Sequence, residues 1–238
     1  MGMGENQTIR VNFARPMPVF PLASVTLMPH AVLPVHIFEP RYRAMVGDAL
    51  DGAGQIAMAI FAGTRWRDGH EGCPPIRQAV CVGQIVQHDR LTDGRYNIAL
   101  QGVCRARVVR ELPMEGTGKP YRTAMLEAVG VDRDEDEATA ATRTRLAAMM
   151  GGTTLRELRE SPGILKHLAD EDVPTSAILE LLTFTMLPDP ELRYKLLAEG
   201  DLMARATLIQ SELGKLQRLL ERAAPQRADR PPKGLSWN

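Results

Sequence analysis

The sequence predicts an α+β fold in which a small β-barrel carrying one inserted helix is followed by an α-helical bundle. Two observations predict it. The first half consists of short apolar runs separated by Gly, Pro and Asp, whereas the second half is rich in Ala, Leu, Met and Arg at helical spacing. We expect a barrel subdomain over residues 1–131, a bundle subdomain over 132–224 and a disordered tail over 225–238, where proline and charge dominate.

Six runs in the first half are predicted as strands because they are short, apolar and bounded by turn residues. They cover residues 32–38, 55–61, 76–87, 95–100, 104–110 and 122–129. Asp93-Gly94 lies between two of these runs and predicts a hairpin, since glycine accepts the positive φ of a tight turn. Residues 39–50 are the exception, because Tyr42, Met45, Val46 and Ala49 recur at helical spacing just after Pro40. Several short strands with one helix indicate a barrel or pseudo-barrel.

The second half predicts a series of helices separated by Gly and Pro. One covers residues 138–150, a second follows Thr154 until Pro162-Gly163 interrupts it, and a third follows Pro174. Asp189-Pro190 has the form of an N-cap with proline in the first turn, leading into residues 192–199. A last helix starts near Asp201 and carries a narrow apolar seam of Leu202, Ile209, Leu213, Leu216 and Leu220. We expect this seam to close the bundle rather than to join a second chain.

Composition excludes several classes of protein. The 29 basic and 29 acidic side chains of the 238 residues cancel, which argues against a protein that mainly neutralises phosphates or anionic lipid. The three cysteines lack paired spacing, which argues against a secreted disulfide scaffold. The first residues lack the profile of a signal peptide, and no apolar run is long enough to cross a bilayer. We therefore expect a soluble cytoplasmic protein that does not bind membranes.

Motifs of catalysis and of metal binding are absent or weak. Gly118-Lys119 is followed by Pro120 and lacks the earlier glycine of a phosphate-binding loop, and no Gly-x-Ser-x-Gly string occurs. The best set of metal ligands is His70, Cys73, Cys81 and His88. The first two fit the spacing of a zinc knuckle, but the other two lie far apart on a predicted strand. A loop histidine with small buried cysteines is the favoured interpretation, so no metal or cofactor is predicted.

Small arginine clusters leave nucleic-acid binding open as an alternative. They are Arg41 with Arg43, Arg65 with Arg67 around Trp66, and Arg105 with Arg107. Arginine beside an aromatic ring can stack on bases. However, alternating arginines on a strand are typical of a solvated face, and aromatic residues make up only 5% of the chain. Nucleic acid is therefore the less favoured partner.

One series of motifs is more distinctive. Val-Phe-Pro-Leu at 19–22 and Met-Pro at 28–29 precede residues 33–42, which read LPVHIFEPRY. Further on, residues 83–108 contain Gly-Gln-Ile, Asp-Gly-Arg and IALQGVCRARV, and residues 196–201 read LLAEGD. This pattern resembles the substrate-binding domain of the ATP-dependent Lon protease, a domain that also occurs as a free-standing protein. The resemblance covers roughly residues 17–220 and implies a PUA-like β pseudo-barrel followed by a helical bundle.

The resemblance implies a non-enzymatic module that binds unfolded or tagged polypeptides. Such a module would act in protein quality control, as a substrate-recognition or adaptor protein for a separate ATP-dependent protease. The chain ends before any ATPase module and lacks the serine–lysine peptidase of full-length Lon, so we expect no ATP or peptide hydrolysis. RNA binding by a PUA-like protein and a small-ligand pocket between barrel and bundle are the alternatives. The sequence does not indicate an oligomeric state.

Polypeptide binding requires exposed apolar side chains or an open strand edge. The candidates for exposed side chains are Met28, Met45, Met58 and Trp66, since methionine adapts to varied partners. The apolar residues of the family motif, in contrast, are expected in the core; they are Phe20, Leu22, Ile37 and Phe38.

Overall fold

The computed structural model describes residues 9–63, 73–130 and 136–223. Six strands come first, with one helix among them, and six helices follow. The strands are β1 (Met17–Leu22), β2 (Val32–Ile37), β3 (Gln55–Ile60), β4 (Ala79–Arg90), β5 (Tyr96–Glu111) and β6 (Thr123–Ala128). The helices are α1 (Pro40–Leu50), α2 (Glu137–Gly151), α3 (Thr153–Arg156), α4 (Ser161–Ala169), α5 (Thr175–Met186), α6 (Pro190–Ala198) and α7 (Leu202–Ala223). The predicted α+β architecture is confirmed.

The strands form one sheet that closes on itself. Its order is β2-β5-β4-β3-β1-β6, and a further pairing of β5 with β6 closes a ring of five strands. The pairings are antiparallel except for β1, which runs parallel to β3. Strand β2 lies outside the ring, because it pairs with the first half of β5 while β6 pairs with the second half.

Strand β5 corrects one prediction from the sequence. The runs 95–100 and 104–110 are a single strand of 16 residues, long enough to pair with β2 and then with β6. Gly102 lies between them because the backbone of Met28 approaches so closely that a Cβ would overlap its carbonyl oxygen. The predicted hairpin is confirmed, since Gly94 joins β4 to β5 with φ of +80°.

Helix α1 is the helix that the sequence predicts among the strands. Pro40 occupies its first turn, where the missing N–H leaves no hydrogen bond unmade. Its inner face buries Tyr42, Met45, Val46 and Ala49. The ring of Tyr42 meets that of Phe20 on β1 edge to face, with centroids 4.7 Å apart. The helix therefore packs its apolar face directly onto the barrel core.

The bundle begins with a capping box at α2, where Asp136 accepts from the backbone N–H of Thr139. Asp189 caps α6 as predicted. Pro162 differs from the prediction, because it lies in the first turn of α4 and begins a helix rather than interrupting one. On α7, Ile209 and Leu213 are buried, and the seam continues with half-buried Leu216 and Leu220 packed on the same core. Within the described chain, the seam thus closes the bundle.

Barrel and bundle share one apolar cluster and a buried ionic cluster. Glu180 of α5 lies 2.5 Å from a guanidinium nitrogen of Arg105 on β5 and 3.7 Å from Arg205 Nε on α7. All three side chains are at least 94% buried. The solvated face predicted for Arg105 and Arg107 is therefore wrong at Arg105. The proposed boundary at residue 131 stays a prediction, because residues 131–135 lie outside the described part.

Candidate functional site

An apolar groove lies where β1 and β2 face each other without pairing. β6 covers only the first half of β1, through Met17, Pro18 and a hydrogen bond from Val19 N to Arg122 O. Beyond this point, the described residues include no strand paired to the open side of β1. The resulting β1–β2 groove has a volume of about 250 Å³ and is formed by residues 20–23 and 35–39 with Tyr42 and Phe61.

The alternation of β2 places Phe38 at the mouth of this groove. Leu33, Val35 and Ile37 point towards the core, whereas Val32, Pro34 and His36 are exposed. Phe38 continues the outer row just after β2 and is 62% exposed, the largest aromatic surface among the described residues. The prediction that Phe38 belongs to the core is therefore wrong. Phe20 and Ile37 are buried as predicted, and Leu22 is half-buried.

Both strands present backbone groups to the groove side. Gly102 N donates to Ala31 O over 2.8 Å, and the alternation of an antiparallel ladder then turns the backbone of Val32, Pro34 and His36 away from β5. On β1, Leu22 O accepts from Phe61 N of the β3 side, so the neighbouring Pro21 carbonyl points the other way. The two outward-facing positions Pro34 and Pro21 are prolines, which have no N–H, so neither leaves a backbone donor unpaired.

The charged groups at the rim are paired with one another. Glu39 lies 2.8 Å from a guanidinium nitrogen of Arg41, and both side chains are about a quarter exposed. The guanidinium of Arg41 also lies 4.5 Å from the ring centroid of Tyr42. Burial raises the pKa of Tyr42, so its phenol is neutral at physiological pH. These pairings leave the groove itself mainly apolar.

His36 forms the polar part of the groove wall, and both of its ring nitrogens have partners. Nδ1 lies 2.7 Å from Asn97 Oδ1, and Nε2 lies 3.3 Å from a guanidinium nitrogen of Arg95. The ring stacks on Phe38 with centroids 6.2 Å apart. Arg95 is held by Asp93, whose pKa is lowered by hydrogen bonds from the Arg95 backbone and side chain.

The residues proposed from the sequence for peptide binding do not line this groove. Met28, Met45 and Met58 are at most 2% exposed and pack in the core, because Met28 precedes the turn into β2, Met45 faces inward on α1 and Met58 lies on the central strand β3. The exposure that peptide binding requires is thus absent at these three residues. Trp66 lies outside the described residues. Phe38 could have been found from the period-two row that begins at Val32.

The structure also places the candidate metal ligands. His70 lies outside the described residues, Cys73 and His88 are exposed, and Cys81 is fully buried. Burial strongly raises the pKa of the Cys81 thiol, which disfavours the thiolate that a metal would need. In the described ranges, no three His, Cys, Asp or Glu side chains form a group that could hold a metal ion.

Three of the clustered arginines form ion pairs within the protein. Arg105 pairs with buried Glu180, Arg107 pairs with Glu127, and Arg41 pairs with Glu39. Arg65 and Arg67 lie outside the described residues. Binding to the phosphate backbone of a nucleic acid requires a stripe of basic side chains that are not already neutralised. Three of the arginines that suggested such a stripe are neutralised by carboxylates.

Three cavities among the described residues lie between barrel and bundle, where a small-ligand pocket was the alternative. The largest has about 570 Å³ and is lined mainly by charged side chains, among them Arg77, Glu191 and Lys195. The one beside Arg105, Glu180 and Arg205 has about 30 Å³, enough for about one water molecule. The third has about 360 Å³ and is lined by Asp136 and Asp201, whose carboxylates already cap α2 and α7. None of the three combines an apolar wall with a few free polar groups, as a ligand pocket does.

Residues 16–215 match the family model of the ATP-dependent protease La (LON) substrate-binding domain. The chain belongs to this family. It is 23% identical over 209 residues to a Lon protease of Anaeromyxobacter dehalogenans and 30% identical over 138 residues to one of Trichlorobacter lovleyi. These alignments cover 86% and 55% of the chain, and 24% and 16% of the relatives. The chain thus spans about a quarter of the length of the Anaeromyxobacter enzyme, and the match lies in the substrate-binding domain.

Solved structures show the same fold. The N-terminal domain of a Mycobacterium avium complex Lon protease superposes with a TM-score of 0.62 at 19% identity, covering 84% of this chain and 98% of that one. A Lon N-terminal domain protein from Xanthomonas campestris gives a TM-score of 0.57 at 19% identity, with the same coverage. In this Lon domain, the Phe-Pro-Leu and Ile-Phe-Glu motifs lie on the two sides of the β1–β2 groove. None of the described helices is long and apolar enough to span a membrane.

Proposed function

We propose that this protein is a non-enzymatic polypeptide-binding module and that the β1–β2 groove receives an extended apolar segment of its ligand. The exposed ring of Phe38 at the mouth of the groove carries this proposal. The Phe38 ring is 62% exposed beside an apolar groove. Covering this apolar surface with a partner removes it from water, which favours binding.

The size and walls of the groove favour a polypeptide over a small molecule. Its volume of about 250 Å³ is below the ~300 Å³ at which small-molecule pockets begin. It is, however, open along a strand edge, and the outward carbonyl of Pro34 and backbone of His36 can bond to an extended chain. We expect one or two apolar side chains of the ligand to enter the groove while its backbone runs beside β2.

The finer proposal concerns what happens to the bound polypeptide. Membership of the Lon substrate-binding family supports a role in recognising unfolded or tagged polypeptides. We propose that the protein transfers them to, or withholds them from, a separate ATP-dependent protease in the cytoplasm. Crosslinking in lysate followed by mass spectrometry tests this role. Recovery of many aggregation-prone chains together with such a protease is expected, whereas recovery of neither contradicts it.

Binding at the groove is tested with a capped, fluorescent apolar decapeptide and three proteins. These are the unchanged protein, Phe38→Ser and the matched control Val109→Ser. Val109 is 60% exposed on β5 and lies outside the groove, so its replacement removes a comparable apolar exposure elsewhere. Loss of the Phe38 ring is expected to weaken binding about tenfold or more, as at an aromatic hot spot.

The comparison between the two variants decides the location of the site. Val109→Ser is expected to bind like the unchanged protein. Equal weakening in both variants would indicate general surface hydrophobicity rather than a groove. An unchanged affinity in Phe38→Ser would place the polypeptide site elsewhere, and a peptide that binds none of the three proteins would contradict polypeptide binding itself.

A further inference from the structure

The groove wall contains a histidine whose two ring nitrogens both contact polar groups, Asn97 and Arg95. Arg95 can only donate, so His36 Nε2 must accept, and an accepting ring nitrogen carries no proton. Nδ1 then carries the proton and donates to Asn97 Oδ1. Both contacts are satisfied together by the neutral ring, and the arrangement therefore matches neutral His36.

We propose that His36 makes polypeptide binding at the β1–β2 groove depend on pH, with the neutral ring binding apolar segments more tightly than the charged ring. This inference rests on the proposed function of the groove. Histidine is the side chain that ordinarily changes charge between pH 5 and pH 8.

Protonation changes two contacts of His36. A proton on Nε2 would face the Arg95 guanidinium at 3.3 Å, so an attractive hydrogen bond becomes a repulsion between two cations. The ring also stacks on Phe38, the side chain that an apolar ligand covers. A ligand over a charged imidazolium must remove its water without offering a hydrogen bond, which disfavours the complex.

The charged groups near His36 lie in the β4–β5 turn, on β4 and on α1, where Arg43 donates to the backbone carbonyl of Asp93. Besides Arg95, the turn between β4 and β5 carries Asp93, whose lowered pKa keeps the carboxylate ionised and paired with Arg95 through this range. On β4, Asp89 lies opposite Asn97 in the ladder. At the start of α1, Glu39 is paired with Arg41.

The experiment measures the affinity of an uncharged, capped decapeptide at about pH 5.5 and about pH 8, on either side of the ordinary histidine titration. The peptide has no titratable group, and its fluorophore is chosen to be insensitive to pH. The unchanged protein is expected to bind about fivefold more weakly at the lower pH, the scale of one lost hydrogen bond.

Three variants separate His36 from the rest of the protein. His36→Gln keeps a polar side chain that cannot titrate and is expected to bind equally at both pH values. His88→Gln, on the exposed end of β4 and outside the groove lining, is the matched control and is expected to keep the dependence. Arg95→Gln removes the repelling cation and is expected to show a smaller dependence, even if His36→Gln should bind poorly.

The outcomes distinguish this inference from the function on which it rests. Binding that is independent of pH in the unchanged protein overturns the inference while leaving the groove as a binding site. A dependence that survives in His36→Gln, or that disappears equally in His88→Gln, overturns it as well. No binding at either pH overturns the proposed function and this inference together.

Discussion

The β1–β2 groove and the barrel–bundle interface use similar residue types in opposite ways. At the interface, Arg105, Glu180 and Arg205 are almost completely buried and meet one another. At the groove, the ion pairs stay at the rim, and the exposed group is the apolar ring of Phe38. A folded protein normally shows the reverse arrangement. The buried charges at the interface therefore have a structural role, whereas the groove keeps an apolar surface exposed that a partner can cover.

The largest effect is expected at the interface, from Glu180→Ala. The change leaves Arg105 and Arg205 buried without their carboxylate, and breaking one partner of a buried pair costs about 3–5 kcal/mol. The free energy of unfolding, measured by urea denaturation, is expected to fall by this amount.

Glu191→Ala is the control for Glu180→Ala. Glu191 also pairs with an arginine, Arg77, across barrel and bundle, but its side chain is 76% exposed. Its loss is expected to cost at most about 1 kcal/mol. Equal effects of the two substitutions would show that burial does not govern these ion pairs.

A second substitution sharpens the distinction between core and groove. Met45→Ala removes a fully buried side chain of α1 and leaves a cavity, which is expected to cost about 2–5 kcal/mol of unfolding free energy. Met45 lines no part of the groove, so the affinity for an apolar peptide should be unchanged in the folded protein. If Met45→Ala reduced the peptide affinity without changing the free energy of unfolding, Met45 would belong to the binding site.

The sequence predicted best where a local rule determines the structure. Asp93-Gly94 required a tight turn and Pro40 a helix start, and both are found there. Strand β1 was not among the strands predicted from the sequence, and two prolines, Pro18 and Pro21, lie within it. Pro21 is tolerated because β6 covers only the first half of β1, so the position of its missing N–H faces the open side. Long-range pairing of this kind leaves no local signal in a single sequence.

The candidate site depended even more on tertiary structure. The sequence placed Phe38 in the core and offered three methionines only as candidates for exposed side chains. In the structure Phe38 is exposed and the three methionines are buried. The sequence alone does not distinguish a buried from an exposed apolar side chain here, because the burial depends on which strand edge remains unpaired in the fold. Arg105 was similarly taken for a solvated residue, because its carboxylate partner Glu180 lies 75 positions away in the chain.

The smallest expected effect is that of Phe38→Ala on stability. Side chains that are mainly exposed contribute little to folding, so the free energy of unfolding should change by no more than about 0.5 kcal/mol. Phe20→Ala, on the buried side of the same groove, is the matched control and should cost about 3–5 kcal/mol. Urea denaturation of the two variants measures both values. A large loss of unfolding free energy in Phe38→Ala would show that this ring stabilises the fold. Its exposure would then no longer support a binding site at the groove.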